Sequence, residues 1–331
     1  MTDPRFLAGA ASDVGRVRGM NEDAYVVTDR VFAVADGMGG HLAGEVASAM
    51  AADGLRQLSG QVSTDEAVNA VIAANKAILE RSRTDASHRG MGTTLTGLAL
   101  VHNGVDDRLA VVNVGDSRTY RLRAGTLRQV SIDHSYVQEL VAAGQISAQE
   151  ARVHPQRNIV TRALGIEAAV GIDVWTLPIV RGDRYLVCSD GLVDEVTDEA
   201  ILDALCDFAD PQQAATELIR LANSAGGRDN TTVVVLDVMD GLDPSTVSDE
   251  EDLRTYITVR GTDERESEDD TAEGGTGPGN YVDPLDGALA DALTDSSNPP
   301  TDLTAALLGH LGDPTGETFT TEDEAIALAN S

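Results

Sequence analysis

VFAVADGMGGHLAGE, residues 31–45, sets the problem. A short apolar run, Val31 to Ala35, delivers a single aspartate, Asp36, into a cluster of glycines. A five-residue apolar run bounded by turn residues reads as a buried strand. The aspartate at its end, with bare backbone beside it, then needs a chemical reason.

Similar runs recur outward from this stretch: YVVT at 25–28, TLTGLALV at 94–101, RLAVVNV at 108–114, RTYRLR at 118–123, VGIDVWTL at 170–177, RYLVCS at 184–189 and TTVVVLDV at 231–238. Several are joined by short links such as GDS and RAGTL, which favours antiparallel pairing over crossover connections. Helical periodicity fills 42–58 and 64–82, the latter opening on the capping-type Thr64 and Asp65, and again 197–209 and 211–225. Strands with helix pairs between them predict an α+β fold: a four-layer α-β-β-α sandwich, two packed antiparallel sheets flanked by helix pairs. Residues 131–165, rich in His and Arg, form an insertion between strands, too long to be a simple connection.

Acidic residues repeat the pattern of the opening stretch. FAVADGMGG carries Asp36, AVVNVGDSR carries Asp116 and YLVCSDGL carries Asp190. GGRDNTTVVVL carries Asp229 and RGMNEDAYVV carries Glu22 and Asp23, each just before a strand. One such motif alone is an ordinary turn. Gathered at neighbouring strand ends, the carboxylates repel and need cations to stay ionised. Oxygen ligands suit Mg²⁺ or Mn²⁺, and the near absence of His and Cys from these motifs argues against zinc. Two such ions about 3.5–4 Å apart can share a water and lower its pKa toward about 7. The same charge suits a phosphate ester, and Arg18 would supply a fork for its free oxygens. A phosphate-cradling glycine loop with lysine, a dinucleotide fingerprint, an H-E-x-x-H helix and a nucleophile elbow are all missing.

Composition narrows the classes. The 331 residues carry a net charge of −31, which weighs against nucleic acid as a partner. Two cysteines make no disulfide framework, and Cys188 inside an apolar run reads as a small core residue. The N-terminus lacks the features of a signal peptide and no apolar run is long enough to span a membrane, so a cytoplasmic location is expected, with no membrane insertion. From residue 240 on, 23 Asp and Glu face three arginines. Residues 1–239 are therefore read as one domain and 240–331 as an acidic, largely disordered tail. Within the tail, LTAALLGHL at 303–311 has the pattern of a short amphipathic helix.

The motifs SDVGRVRGMNEDA, VADGMGGH, GMGTTL, GDSR, CSDG and RDNTTVVV, in that order, resemble the metal-dependent protein serine/threonine phosphatases of the PPM or protein phosphatase 2C family, most closely its bacterial branch. The resemblance runs from about residue 5 to 239. It implies hydrolysis of phosphoserine and phosphothreonine in proteins by a water or hydroxide bridging two Mn²⁺ or Mg²⁺ ions, without a phosphoenzyme. It implies that Asp36 bridges both metals, that the Gly37 carbonyl contacts one, and that Asp190 and Asp229 complete the other. Glu22 and Asp23 would act mainly through water on the metal, and Arg18 would bind the phosphate. In bacterial members the GDSR aspartate, here Asp116, can help hold a third, weaker metal with the SDG aspartate, to which the Asn158 backbone could contribute. The segment 131–165 resembles the family's flap, a segment linked to substrate choice. The expected partners are phosphoproteins and an opposing bacterial Ser/Thr kinase, and the expected state is a monomer.

One position departs from the eukaryotic members, which place a histidine directly after the DG pair to protonate the leaving oxygen. Here that position is Met38, and either His41 or water must take that role. A second reading stays open: a binding or sensor module that keeps the fold and acts by association. A tail folding back on the site as a mimic of an anionic substrate is a third.

Overall fold

The structure, a computed structural model, describes residues 6–39, 43–247 and 257–260. His41 and the 303–311 segment lie outside the described residues. In chain order the elements are β1 (Phe6–Asp13), β2 (Asp23–Val27), β3 (Val31–Met38), α1 (Ala43–Arg56), α2 (Thr64–Thr84), β4 (Gly92–Thr93), β5 (Leu95–His102), β6 (Asp107–Val114), β7 (Arg118–Arg123), β8 (Thr126–Gln129), α3 (Tyr136–Ala142) and α4 (Ala148–Ala151). They continue with β9 (Gly171–Pro178), β10 (Arg184–Cys188), α5 (Asp190–Val193), α6 (Asp198–Asp207), α7 (Pro211–Ala225), β11 (Thr231–Val238) and β12 (Ile257–Arg260).

Two antiparallel sheets result. One runs β1-β11-β10-β7-β8; the other runs β12-β9-β6-β5-β3-β2, with β4 attached to β3. The side chains of each central strand part to opposite faces with the period of two that a strand imposes. In β3, Phe32 and Val34 enter the core between the sheets, beside Trp175, Tyr185 and Leu236. Val31, Ala33 and Ala35 turn the other way, toward α1 and α2. In β11, Val234 and Leu236 face the inter-sheet core while Val233 and Val235 pack under α6 and α7. Both faces of these strands are buried, which explains why they read as near-continuous apolar runs rather than alternating ones. Three apolar layers between four layers of secondary structure make the α-β-β-α sandwich, and each large side chain buried contributes about 1.5–3 kcal/mol.

The helices start where side-chain oxygens meet free amides. α2 is capped by Ser63, one residue before the expected Thr64, because Ser63 and Glu66 form a reciprocal capping box. α7 starts at Pro211 behind Asp210, whose carboxylate accepts from the Gln212 amide. Cys188 is buried in β10, and burial pushes its thiol up to about 12.

Several elements were not anticipated, among them β1, β8 and β12. β1 is built from FLAGAASD, with glycine and alanines where a strand usually carries branched residues; Gly9 is needed because a Cβ there would lie 2.2 Å from the Gln212 amide nitrogen of α7. β8 is only four residues long. β12 comes from beyond residue 239 and pairs with β9, placing Thr258 opposite Asp173. Leu242 also packs back, its amide donating to the Ile179 carbonyl at 2.8 Å. Body structure thus extends past the compositional boundary at 239, into a stretch read as tail.

Candidate active site

The opening aspartate lies inside β3 rather than at its end, and the ladder sets Asp23 of β2 directly opposite it. The backbone of Asp36 is held by two threonines. Its amide donates to Thr94 Oγ1 at 3.0 Å, and its carbonyl accepts from Thr93 Oγ1 at 2.8 Å. Thr94 Oγ1 also shares a 2.8 Å hydrogen bond with Ser117, the residue after Asp116. One pair of threonines thereby ties the Asp36 strand to the Asp116 turn.

The glycines after Asp36 have a structural cause. A Cβ on Gly37 would lie 2.2 Å from the Gly44 carbonyl and 2.4 Å from the Glu22 carbonyl. A Cβ on Gly44 would lie 2.8 Å from both Glu22 Oε1 and the Gly37 carbonyl. Bare backbone at both positions lets the start of α1 close against β3, with the Glu22 carboxylate and the Gly37 carbonyl both beside Gly44.

Asp190 opens α5 directly after β10, within electrostatic reach of Asp36. Asp23 Oδ2 accepts from Ser189 Oγ at 2.9 Å. Asp229 precedes β11 and accepts from Arg18 at 2.6 Å. Asp116 sits in the turn between β6 and β7, 8% exposed, within electrostatic reach of Asp36 and Asp190. Arg18 in turn feels Asp229, Asp36 and Asp190, which hold its guanidinium above its ordinary range. The predicted residues Arg18, Glu22, Asp23, Asp36, Gly37, Asp116, Asp190 and Asp229 therefore occupy one end of the two sheets.

The electrostatics follow from burial and crowding. Burial first, then the repulsion of Asp190 and Asp229, raise Asp23 to about 7 against the hydrogen bonds of Thr232 and Ser189. Burial, with Asp194 and Asp229, raises Asp190 to about 6 although Asp36 works the other way. Asp36 is pushed well above the carboxylate range by burial, then by Asp23 and Asp190; Asp116 likewise by burial, then by Asp190 and Asp133. Four neighbouring carboxyl groups thus resist ionisation together.

Among the described residues no three acidic, histidine or cysteine side chains converge on a ready-made metal position. Part of the cluster is instead bonded to its neighbours: Arg18 to Asp229 and Ser189 to Asp23. Two buried oxygens are left over, Asp23 Oδ1 and Asp190 Oδ1, neither with a hydrogen-bond partner. Buried acceptors without donors are costly and call for a ligand. An all-oxygen, acceptor-only donor set with orphaned oxygens fits hard divalent cations such as Mg²⁺ and Mn²⁺.

Sequence reasoning missed the residues that hold this set in place. Asn230 accepts from the Glu22 amide at 2.8 Å and donates to the carbonyls of Val14 and Met20 at 3.0 and 2.8 Å. It binds the 14–22 loop, which carries Arg18, against the start of β11. Gly15, at φ +82, lies in that loop, and a Cβ there would meet the Asp229 carbonyl at 2.4 Å. The only signal was the position of Asn230, directly after a site aspartate.

A cavity of about 600 Å³ adjoins the cluster. It is lined by Asp116 and Asp190, by Val141, Arg152 and Asn158 of the 131–165 insertion, and by Asp198. Within the insertion Ser135 bridges to Val160, closing the segment on itself, and near its far end Leu164 bridges to Thr93.

Comparisons with known proteins agree with the two-sheet architecture. The chain is 44% identical over 239 residues to the serine/threonine protein phosphatase PstP of Mycobacterium tuberculosis; the match covers 70% of this chain and 45% of the relative, so it spans about half of that protein. It is 38% identical over 239 residues to the serine/threonine phosphatase stp of Listeria welshimeri, covering 68% of this chain and 93% of that one. The solved catalytic domain of PstP in complex with two manganese ions superposes with a TM-score of 0.63 at 42% identity, over 71% of this chain and 99% of that one. Residues 17–223 match the family described as Protein phosphatase 2C, so two packed antiparallel sheets, their flanking helices and the carboxylates between their ends are those of a chain that belongs to the protein phosphatase 2C family.

Proposed function

We infer that this protein is a metal-dependent serine/threonine phosphatase, hydrolysing phosphoserine and phosphothreonine in proteins. The observation that carries the reading is the pair of buried, unpartnered oxygens, Asp23 Oδ1 and Asp190 Oδ1, in a carboxylate cluster beside Arg18. Asp36, Asp190, Asp229 and the Gly37 carbonyl are the groups that would hold two Mn²⁺ or Mg²⁺ ions, with Glu22 and Asp23 behind them and Asp116 available for a third. Ions bound there activate water and offset the charge of the phosphate.

The chain's own residues supply the rest. Arg18 is 53% exposed on its side chain and reaches Asp229 from the solvent side. An incoming phosphate competes for the same guanidinium, whose planar fork matches two phosphate oxygens. Asn230 keeps the Arg18 loop in place during that exchange. The cavity under the 131–165 segment takes the peptide around the phosphorylated residue, with Val137 and Val141 for apolar side chains and Arg152 for acidic ones. Met38 carries no transferable proton, so protonation of the leaving oxygen falls to His41 or to water.

The phosphoprotein substrates and an opposing Ser/Thr kinase belong to this reading, as does a monomeric, cytoplasmic enzyme. Among the described residues no helix is long and apolar enough to cross a membrane. The test is phosphate release from a phosphothreonine peptide by the full chain, with added Mn²⁺ and with chelator. Release that needs the metal supports the enzyme; a protein inert under every condition favours the binding module.

A further inference from the structure

A chain of hydrogen-bonded side chains links the strand beyond residue 239 to the Asp116 turn. Thr258 of β12 stands opposite Asp173 of β9, and its hydroxyl donates to Asp173 Oδ1 at 2.8 Å. Arg162 donates to the same oxygen at 3.1 Å. The other oxygen, Asp173 Oδ2, meets His134 Nε2. Asp173 is fully buried and His134 is 5% exposed, so water does not compete for these bonds.

His134 then grips Gly115 twice. The Gly115 amide donates to His134 Nδ1 at 3.0 Å, and the His134 amide donates to the Gly115 carbonyl at 2.9 Å. An accepting Nδ1 leaves the ring proton on Nε2, which therefore donates to Asp173. Gly115 needs such support. Its φ is +107, and a Cβ would lie 2.6 Å from the Thr94 side chain. The carbonyl that His134 holds belongs to the peptide bond leading directly into Asp116.

We propose that Thr258 and His134 are positioning residues for the metal site: Thr258 orients Asp173, Asp173 orients the His134 ring, and the ring fixes the direction in which Asp116 presents its carboxylate to Asp190 and Asp36. The proposal rests on the metal-dependent reading of the cluster. Partners one step behind a metal ligand typically change metal affinity 10–100-fold when removed, because they hold the ligand's orientation. The family match ends at residue 223, so the Thr258 contribution comes from a strand outside it.

Thr258→Val carries the test, since it removes the hydroxyl, keeps the branched shape and lies on an edge strand; Thr258→Ser restores the hydroxyl. Two readouts use the full chain. In metal-free protein the Gly115 amide resonance shifts in Thr258→Val and in His134→Asn and returns in Thr258→Ser. In calorimetric titration with Mn²⁺, Thr258→Val weakens the weakest binding step a few-fold, less than the about 10-fold of a direct partner, leaves the tighter steps unchanged, and Thr258→Ser matches the wild type. An unchanged Gly115 resonance overturns the proposal, and so does a shifted resonance with an unchanged Mn²⁺ isotherm. A wild-type protein that binds no Mn²⁺ overturns the metal reading itself, and is told apart from the first two outcomes by that wild-type titration.

Discussion

Asp23 and Asp36 stand directly opposite each other across the β2–β3 ladder. Like charges at a cross-strand position destabilise a sheet. Here burial holds Asp23 up at about 7, with repulsion from Asp190 and Asp229 added, and holds Asp36 well above the carboxylate range, with repulsion from Asp23 and Asp190 added. The fold therefore carries an electrostatic cost at this end, one that a divalent cation removes.

The first prediction concerns pH. A carboxyl raised from 3.8 to about 7, as in Asp23, or to about 6, as in Asp190, keeps its proton longer in the folded chain than in the unfolded one. Between those values the native state binds more protons, so stability falls as pH rises. Thermal unfolding of chelator-treated protein is expected to show a melting temperature that drops between about pH 4 and pH 7. Saturating Mn²⁺ is expected to reverse that drop, with proton release on binding near pH 6. A metal-free melting temperature that rises across the same window contradicts the assignment.

Asp36→Asn separates catalysis from folding. The amide loses the charge that would bridge two ions, and turnover is expected to fall roughly 10³-fold, the upper end for removing one electrostatic group at a reacting centre. The same change relieves repulsion with Asp23 and Asp190, so the metal-free protein is expected to melt higher at pH 8. A variant with near-normal turnover, or one that melts lower at pH 8, counts against the cluster.

Arg18 is engaged with Asp229 at 2.6 Å with both side chains partly exposed. Exposed pairs are worth about 0–1 kcal/mol, so Arg18→Ala is expected to leave chemical unfolding almost unchanged. Its effect appears in steady-state kinetics, as a raised KM for phosphopeptide. Lysine restores only part of the loss because a point charge does not replace the fork. A large drop in stability without a kinetic change would make Arg18 structural.

Gly37→Ala tests the close approach of α1 to β3. The added Cβ would meet two backbone carbonyls at 2.2 and 2.4 Å, neither of which can move aside like a flexible side chain. Overpacking of this kind costs about 1–3 kcal/mol or more, read by denaturant unfolding. Gly19→Ala is the control, since nothing lies within 4 Å of its Cβ direction. Equal stability of the two variants removes the steric account of Gly37.

Much of this was legible in the chain because local and long-range preferences agree there. β7, α7 and β11 fall on the residues their patterns indicate, since β7 and β11 are dense in branched or aromatic residues and α7 has both its cap and its proline. β1 was hidden because its alanines and its one glycine suit close packing against α7 rather than strand propensity. β12 was hidden because ITVR is four residues inside an acidic stretch, and composition over a window outweighs it. The site aspartates could be read from their shared setting at strand ends. Asn230, Ser189, Thr94 and His134 could not, because each acts through a partner dozens to hundreds of residues away, a relationship that only the folded chain creates. The segments holding His41 and residues 303–311 lie outside the described structure.

The most direct test is a crystal of the full chain grown with Mn²⁺ and measured at the manganese absorption edge. Two anomalous peaks about 3.5–4 Å apart are expected, both within about 2.0–2.6 Å of the Asp36 carboxylate, with Asp190 and Asp229 on one of them and Arg18 released from Asp229. Manganese absent from this cluster, or bound elsewhere while Arg18 stays bonded to Asp229, would contradict the account.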